Sequence, residues 1–164
     1  MRTKMQVTRT DGTYVSKSDP IFELLGDIDE LSANLSLLVC KGIDGQDGHS
    51  VRTIIEDLVV LSAELSVKAL LTPAASIGVP LRERLAVLRT SCEELRMYTP
   101  STFVCFFDNT VAAQANLSRA VCRRAERGAV RLAEFCDSVV EQEHHAYLDL
   151  VSTWLFLFAC KCKK

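Results

Sequence analysis

One segment of the chain carries arginines at a spacing that suits the binding of a polyanion. Arg119, Arg123 and Arg127 recur at every fourth position, with Asn116 and Glu126 beside them. At roughly 100° per residue of an α-helix, these five side chains fall within an arc of about 100°. Guanidinium groups offer paired N–H donors, so an excess of them on one face favours a polyphosphate ligand. The alternative is a solvated face on which Glu126 pairs with an arginine one turn away.

Two other groups contain residue types that take part in chemistry. His144 and His145 follow two glutamates, but adjacent helical side chains point about 100° apart and do not readily bind one ion. We therefore expect a solvated helix start there and no metal site, and we expect His49 in a loop. The aromatic run at 103–107 could form a wall facing a ligand, although an aromatic plug in the core is the more frequent arrangement.

Composition excludes several classes of protein. Apolar residues make up 48% of the 164 positions, and seven glycines with four prolines are too few breakers for an all-β chain. The net charge of −2 gives no basic surface for nucleic acid, and no apolar stretch is long enough to cross a membrane. The seven cysteines are odd in number and irregularly spaced, which indicates free thiols in a reducing compartment.

Hydrophobic periodicity predicts an all-α fold, a five-helix up-and-down bundle that forms one domain over residues 1–164. Asp19 followed by Pro20 is a typical helix start. We expect a linker at 43–49, a second helix that is central because it is apolar almost all round, and a weak point at Gly128. The expected helices run from Pro20 to Gly42, Ser50 to Leu71, Pro80 to Thr99, Thr110 to about Glu126 or further, and Glu141 to Lys161.

The first predicted helix has two faces that can pack. One face is the apolar stripe that enters the core. The other carries small residues and one carboxylate, and side chains of that size let another helix approach closely. This pattern indicates packing both inward and onto a neighbour, for which a second subunit is one candidate. The residues of the second face are Gly26, Asp29, Ala33, Ser36 and Cys40.

Several segments resemble a known family. The run RAVCRRAER at 119–127 is similar to the most recognisable segment of the ATP:cob(I)alamin adenosyltransferases of the propanediol-utilisation type. VSKSDP at 15–20 and GDIDELS at 26–32 agree with that family in the same order, and the closing helix follows it from Tyr147 to Phe156. The resemblance covers essentially the whole chain.

The resemblance implies a fold and an activity. Family members form a five-helix bundle that assembles as a homotrimer with active sites between subunits. They transfer the 5′-deoxyadenosyl group of ATP to cob(I)alamin and release triphosphate, so the implied cofactors are ATP, Mg²⁺ and cobalamin. An adenosylcobalamin-dependent mutase is a possible partner, in the cytoplasm or the mitochondrial matrix. Because cobalt is the nucleophile, the protein needs no catalytic Ser, Cys or His.

The resemblance also implies roles for ten residues. Asp29 would pair with Arg119 across the subunit boundary and shape the corrin pocket, and Phe103 would be the wedge that displaces the lower ligand of cobalt. Arg123 would bind triphosphate and Glu126 would place ATP with its magnesium. The full set expected at ATP is Thr8, Arg9, Thr10, Lys17, Arg123, Glu126 and Asp149.

The chain departs from the family pattern at several positions. The loop after Thr10, whose N–H groups cradle phosphate in the family, is several residues shorter here. The Pro-Gly-Gly turn after the wedge is replaced by residues 106–109, the helical His of the family is Asn116, and its ATP-contacting Asn is Asp149. Two alternatives therefore stay open: a non-catalytic descendant acting as a trimeric structural or binding subunit, and a cobalamin carrier without ATP turnover.

Overall fold

The computed structural model describes residues 5–70, 79–136 and 138–163. Over these ranges it contains five α-helices, one short antiparallel hairpin and a 3-10 turn, so the predicted all-α five-helix bundle is confirmed. The elements are β1 Gln6–Thr8, β2 Tyr14–Ser16, α1 Pro20–Cys40, α2 Gly45–Leu70, α3 Leu81–Leu95, the 3-10 turn Arg96–Tyr98, α4 Thr110–Phe135 and α5 Gln142–Cys162. None of the helices in the described ranges combines the length and apolarity that a membrane span requires.

The helices form a closed ring in the order α1, α2, α3, α5, α4, and α4 returns to α1. The most deeply buried helix is α5, where Trp154 stacks on Phe158 with 5.0 Å between ring centroids and both are fully enclosed. The prediction of a central second helix is wrong. α2 packs mainly on α1, meets α3 along a loose seam, and leaves Val59 60% exposed.

The start of α2 lies earlier than the sequence indicates. The expected linker at 43–49 is wrong beyond Asp44, because Gly45 turns the chain with φ +63° and the helix begins there. The N–H of Gly48 already donates to the Asp44 carbonyl at 3.4 Å. The negative charge of Asp47 in the first turn interacts favourably with the helix dipole. The same carboxylate accepts a hydrogen bond from the Lys161 ammonium at 2.7 Å. His49 consequently lies on a helix and not in a loop. The expected end of this helix, at 71–73, is outside the described residues.

Side-chain caps fix the starts of α1 and α4. The Asp19 carboxylate accepts the N–H of Ile21 at 3.1 Å, as the sequence predicts. Asn109 accepts the N–H of Ala112 at 2.8 Å and donates to the carbonyl of Cys162 at 2.7 Å, so the same side chain joins the start of α4 to the end of α5.

α4 passes without a break through Gly128, which is therefore not the expected weak point. Gly128 is buried where α1 crosses, and a Cβ built there would lie 3.5 Å from the Leu24 Cδ1. Small residues occupy most of the buried positions of this helix, which lets both neighbouring helices approach. They are Ala112, Ala115, Ser118, Cys122, Ala125, Gly128 and Ala129.

A buried polar group joins α2, α3 and α5. The Asp57 carboxylate, 2% exposed, forms an ion pair with Arg84 and accepts the Tyr147 hydroxyl at 2.5 Å. Both carboxylate oxygens thus have a donor. Burial, with the Asp57 charge next in size, raises the pKa of Tyr147 well above its ordinary value, so the phenol remains a donor.

His144 is buried, which makes the expected solvated helix start wrong at this position. Its Nδ1 accepts the N–H of Glu141 at 3.1 Å, so the ring proton is on Nε2 and is donated to Glu64 at 3.0 Å. The other Glu64 oxygen accepts the N–H of Leu81 at 3.2 Å. One imidazole therefore connects the first turn of α5 to α2 and, through Glu64, to α3.

Replacing Tyr147 by Phe tests the buried group around Asp57. The substitution leaves a buried charged acceptor short of one donor, and we expect it to lower the free energy of unfolding by about 1–3 kcal/mol. Urea denaturation followed by circular dichroism measures the loss. Tyr14→Phe is the matched control, because Tyr14 is 45% exposed on β2 and its change is expected to stay within about 0.5 kcal/mol. Equal losses in the two variants would contradict this role of the hydroxyl.

Candidate functional site

α4 has three faces, of which two are taken by neighbouring helices. The α5 side is marked by Cys122, whose thiol donates to the Leu148 carbonyl at 3.2 Å. The third face is turned outward between α1 and α5, and it carries the arginines singled out by their spacing. Polar contacts mark the α1 side: Gln114 with Asn34, Arg124 with Asp27 and Glu30, and Arg131 with Glu23.

Arg119 is held on its own chain at the edge between α4 and α5. Its Nε donates to the Asn116 Oδ1 at 2.9 Å, and its guanidinium lies 5.9 Å from the centroid of the Phe156 ring. These contacts use Nε and the flat face of the group. The Nη groups thus keep their donors for a further ligand or for a carboxylate of another subunit.

Arg123 and Glu126 lie one turn apart on the same face. The Arg123 Nη1 is 3.8 Å from the Glu126 Oε2, which is within ion-pair range and too long for a hydrogen bond. That same oxygen is buried and has no hydrogen-bond partner among the described residues. The solvated pair considered as an alternative is therefore incomplete, and one acceptor oxygen of Glu126 is unused among the described residues.

Charged residues of α4 and α5 act on the buried Cys122 thiol. Burial raises the pKa of this thiol far above its ordinary value, and Glu126 raises it further. Arg123 and Arg119 act in the opposite direction, and Asp149 of α5 again raises it. The thiol donates to the Leu148 carbonyl, so the next residue, Asp149, lies near this α4–α5 contact and is exposed there. The structure thus places Arg119, Arg123 and Glu126 on one face of α4, with Asp149 on the neighbouring helix.

Arg124 adjoins this cluster in sequence and is separate from it in space. Its Nε donates to the Asp27 Oδ1 at 2.8 Å, and it forms a second ion pair with Glu30. Both partners belong to α1 of the same chain. The turn of about 100° between successive helical side chains explains why Arg123 faces outward while its neighbour holds α1.

Asp29 lies on the outer face of α1, where the small residues singled out in the sequence are all exposed. No ion pair among the described residues joins Asp29 to Arg119 within the chain. The adjacent Glu30 is the residue turned toward α4. The expected pair between Asp29 and Arg119 is thus not formed within the described residues of one chain.

The segment before α4 exposes aromatic rings, so the expected aromatic plug in the core is wrong there. Phe103 is 89% and Phe106 66% exposed, while Phe107 is half-buried and packs against the core. The Lys163 ammonium lies 5.4 Å from the centroid of the Phe106 ring. Phe107 anchors the segment, and Phe103 is presented outward as a ligand-facing side chain must be.

The amino-terminal residues expected at ATP form a closed hairpin. Thr8 pairs with Tyr14, and the N–H of Arg9 donates to the Thr13 carbonyl at 2.7 Å. The Arg9 Nε donates to the Ala69 carbonyl at 3.1 Å near the end of α2. The two other residues expected there, Thr10 and Lys17, are exposed.

Phe156 is a site residue that the sequence analysis did not identify. It lies seven positions after Asp149, which is two helical turns, and this interval is the signal that would have placed both on one face of α5. Its role is visible only in the structure, where its ring supports the Arg119 guanidinium.

Comparisons with known proteins agree on one family. The sequence profile described as cobalamin adenosyltransferase matches residues 4–162. A protein of Cupriavidus metallidurans named cobalamin adenosyltransferase is 30% identical over 150 residues, which cover 91% of this chain and 78% of that protein. The corrinoid adenosyltransferase PduO of Citrobacter freundii is 32% identical over 124 residues, which cover 74% of this chain but only 37% of that protein.

Solved structures agree on the fold. A variant of the PduO-type ATP:corrinoid adenosyltransferase of Lactobacillus reuteri, complexed with ATP, superposes with a TM-score of 0.80 at 20% identity, covering 98% of this chain and 89% of that one. A second variant of that enzyme, complexed with cobalamin and ATP, gives a TM-score of 0.79, also at 20% identity, covering 98% and 87%. At this level of identity the likeness supports the helical architecture.

Proposed function

The chain belongs to the cobalamin adenosyltransferase family, and we propose on that basis that it transfers the 5′-deoxyadenosyl group of ATP to the cobalt of cob(I)alamin. The profile match over nearly the whole chain carries the proposal. The grouping of Arg119, Arg123 and Glu126 on the outward face of α4 supports it.

The reaction depends on how the two substrates are positioned and on the stabilisation of charge, and it needs no reactive side chain. The cobalt of the reduced substrate donates an electron pair to C5′ of ATP, and a Co–C bond forms. The bond from C5′ to the triphosphate oxygen breaks, and its electron pair leaves on triphosphate. Negative charge therefore builds up on the leaving group, and donors arranged before the reaction stabilise it most. Arg123, half exposed on the outward face, is placed to supply such donors.

Mg²⁺ fits the carboxylate at this face. The Glu126 Oε2 is buried without a hydrogen-bond partner among the described residues. This is unfavourable for a carboxylate unless a ligand supplies the missing donor or a positive charge. No group of three or more metal-ligating side chains occurs in the described ranges. Mg²⁺ is commonly bound by one or two carboxylates together with phosphates. Glu126 would hold the ion with triphosphate, where the ion neutralises the leaving group.

The corrinoid side of the proposed site needs a homotrimer. Asp29 is exposed on the outer face of α1 and has no ion-pair partner among the described residues, and the Arg119 contacts described above leave its Nη groups unused. A pair between them across the subunit boundary would fix one wall of the corrin pocket. Phe103, 89% exposed, would enter the space of the lower cobalt ligand. An adenosylcobalamin-dependent mutase would use the product.

A corrinoid-binding subunit without ATP turnover is the second candidate, and two observations favour it. The amino-terminal hairpin is closed by its own hydrogen bonds, and Arg9 is bound at the end of α2. Asp149 is an exposed carboxylate on α5, next to the residue that accepts the Cys122 thiol of α4, and it would repel triphosphate bound nearby. The roles of Thr8, Thr10 and Lys17 at ATP therefore depend on the hairpin moving or on a second subunit.

Substituting Arg123 and Arg124 in turn tests the outward face. Arg123→Ala removes a charge-assisted contact to phosphate, and we expect ATP affinity to fall by on the order of 1.5–3 kcal/mol, measured by calorimetry with Mg²⁺. Arg124→Ala is the matched control: it leaves ATP affinity nearly unchanged and lowers the free energy of unfolding by about 1–3 kcal/mol, because buried Asp27 loses its donor. Equal losses of ATP affinity would mean that the face is wrongly assigned.

Asp149→Asn separates an active enzyme from a subunit that no longer binds ATP. In an enzyme, the amide removes a negative charge near triphosphate and adds N–H donors, so we expect tighter ATP binding. Calorimetry of both forms, with thermal unfolding as a check on the fold, gives the answer. Absence of ATP binding in both forms would refute the enzyme and leave the second candidate.

Mixed trimers test the pair between Asp29 and Arg119. Asp29→Ala and Arg119→Ala should each reduce adenosyl transfer strongly, since each removes one partner from every interface. Subunit exchange between the two variants creates interfaces that contain both native residues, and we expect activity to return in the mixture. Sedimentation is expected to show a trimer. A stable monomer, or no recovery in a mixture whose exchange is verified, would exclude the shared pair.

A further inference from the structure

The seam between α2 and α3 contains a groove of about 650 Å³ that the proposed reaction does not use. The ring of helices places it away from the outward face of α4, which lies between α1 and α5. α2 lines one side from Gln46 to Asp57. The other side runs from Val79, two residues before α3, to Glu94 on that helix.

Side-chain size explains why this seam stays open. Ser50 and Thr53 on α2, with Ser91 on α3, take positions toward the groove where a packed bundle would place large apolar residues. Ile54 and Leu88, 2% and 6% exposed, give the groove an apolar floor. An apolar floor bordered by a few hydroxyls is typical of small-molecule sites, and the volume is in their usual range.

One end of the groove is closed by a pair that is already neutral. Arg84 is bound to the Asp57 carboxylate and donates through Nε to the Val79 carbonyl at 3.1 Å. The second Asp57 oxygen is taken by Tyr147. The Arg84–Asp57 pair therefore contributes no net charge to a ligand.

The charge left in the groove is negative. Glu83 and Glu94 line it, both are exposed, and neither has an ion-pair partner among the described residues. They are separated by three helical turns along α3, about 16 Å at 1.5 Å per residue. His49 is the remaining titratable side chain of the lining. An anion would be repelled along the whole groove, whereas a cation meets a carboxylate near either end.

We propose that this groove binds a small organic cation, an amine with an apolar body. The apolar body would lie on Ile54 and Leu88, and the ammonium would pair with Glu83 or Glu94. An amine on an apolar body matches both the apolar floor and the unpaired carboxylates of the lining.

Trp154 gives a direct signal from this groove. It is the single tryptophan of the chain, and its Nε1 donates at 2.9 Å to the Ser91 hydroxyl, which lines the groove. The experiment titrates the full chain in its native assembly with 4-phenylbutylamine and, separately, with 4-phenylbutyrate, which keeps the apolar body and reverses the charge. We expect a saturable change of Trp154 fluorescence with the amine, at least about tenfold tighter than with the acid.

The double variant Glu83→Gln/Glu94→Gln should weaken binding of the amine about threefold to tenfold. It should not weaken binding of the acid. Glu56→Gln/Glu134→Gln removes the same charge from exposed positions outside the groove and should change neither affinity. No saturable change with the amine, equal binding of the two probes, or equal effects of the two double variants would overturn the proposal. A Trp154 response to a basic amphipathic peptide but not to the amine would assign the groove to a protein partner instead.

Discussion

The close approach of α1 and α5 to α4 sets the geometry of the proposed site. Seven small residues fill most of the buried positions of α4, so both neighbours pack near its backbone. A larger side chain at Ala115 or Ala125 would push one neighbour outward and change the third face. The distances among Arg119, Arg123 and Glu126 are fixed by the helix itself. Their relation to Asp149 and Phe156 depends on the α4–α5 packing.

Local signals in the sequence predicted much of this fold. The capping Asp19 and the Pro20 that follows it start α1 as expected, and the arginine arc of α4 follows from helical periodicity alone. The sequence analysis did not predict the central position of α5, because two histidines and several acidic residues in this helix indicate a partly solvated surface. His144 and Tyr147 are buried by partners on α2 that lie 80 and 90 residues away, and local pattern contains no such information.

The site was predicted in part, for similar reasons. The outward direction of Arg123 and the different direction of Arg124 are properties of one helix and follow from its period. The exposure of Asp29 follows from the pattern of α1. By contrast, the contact of Arg9 with Ala69 spans 60 residues, and the Phe156 ring under Arg119 requires the packing of two helices. Resemblance supplied roles for residues that periodicity cannot rank.

The acidic edge of α1 has a consequence during synthesis of the chain. Glu30 pairs with Arg124, 94 residues later in the chain, and Glu23 pairs with Arg131, 108 residues later, so the ring closes through contacts that are far apart in the sequence. Such non-local pairing is slow, whereas α1 and α2 can associate early as sequence neighbours. Until α4 emerges from the ribosome, the apolar stripe of α1 is bordered by three free carboxylates, with Asp27 between the other two. Like charge along this border would oppose the association of two unfinished chains until the arginines of α4 pair with it.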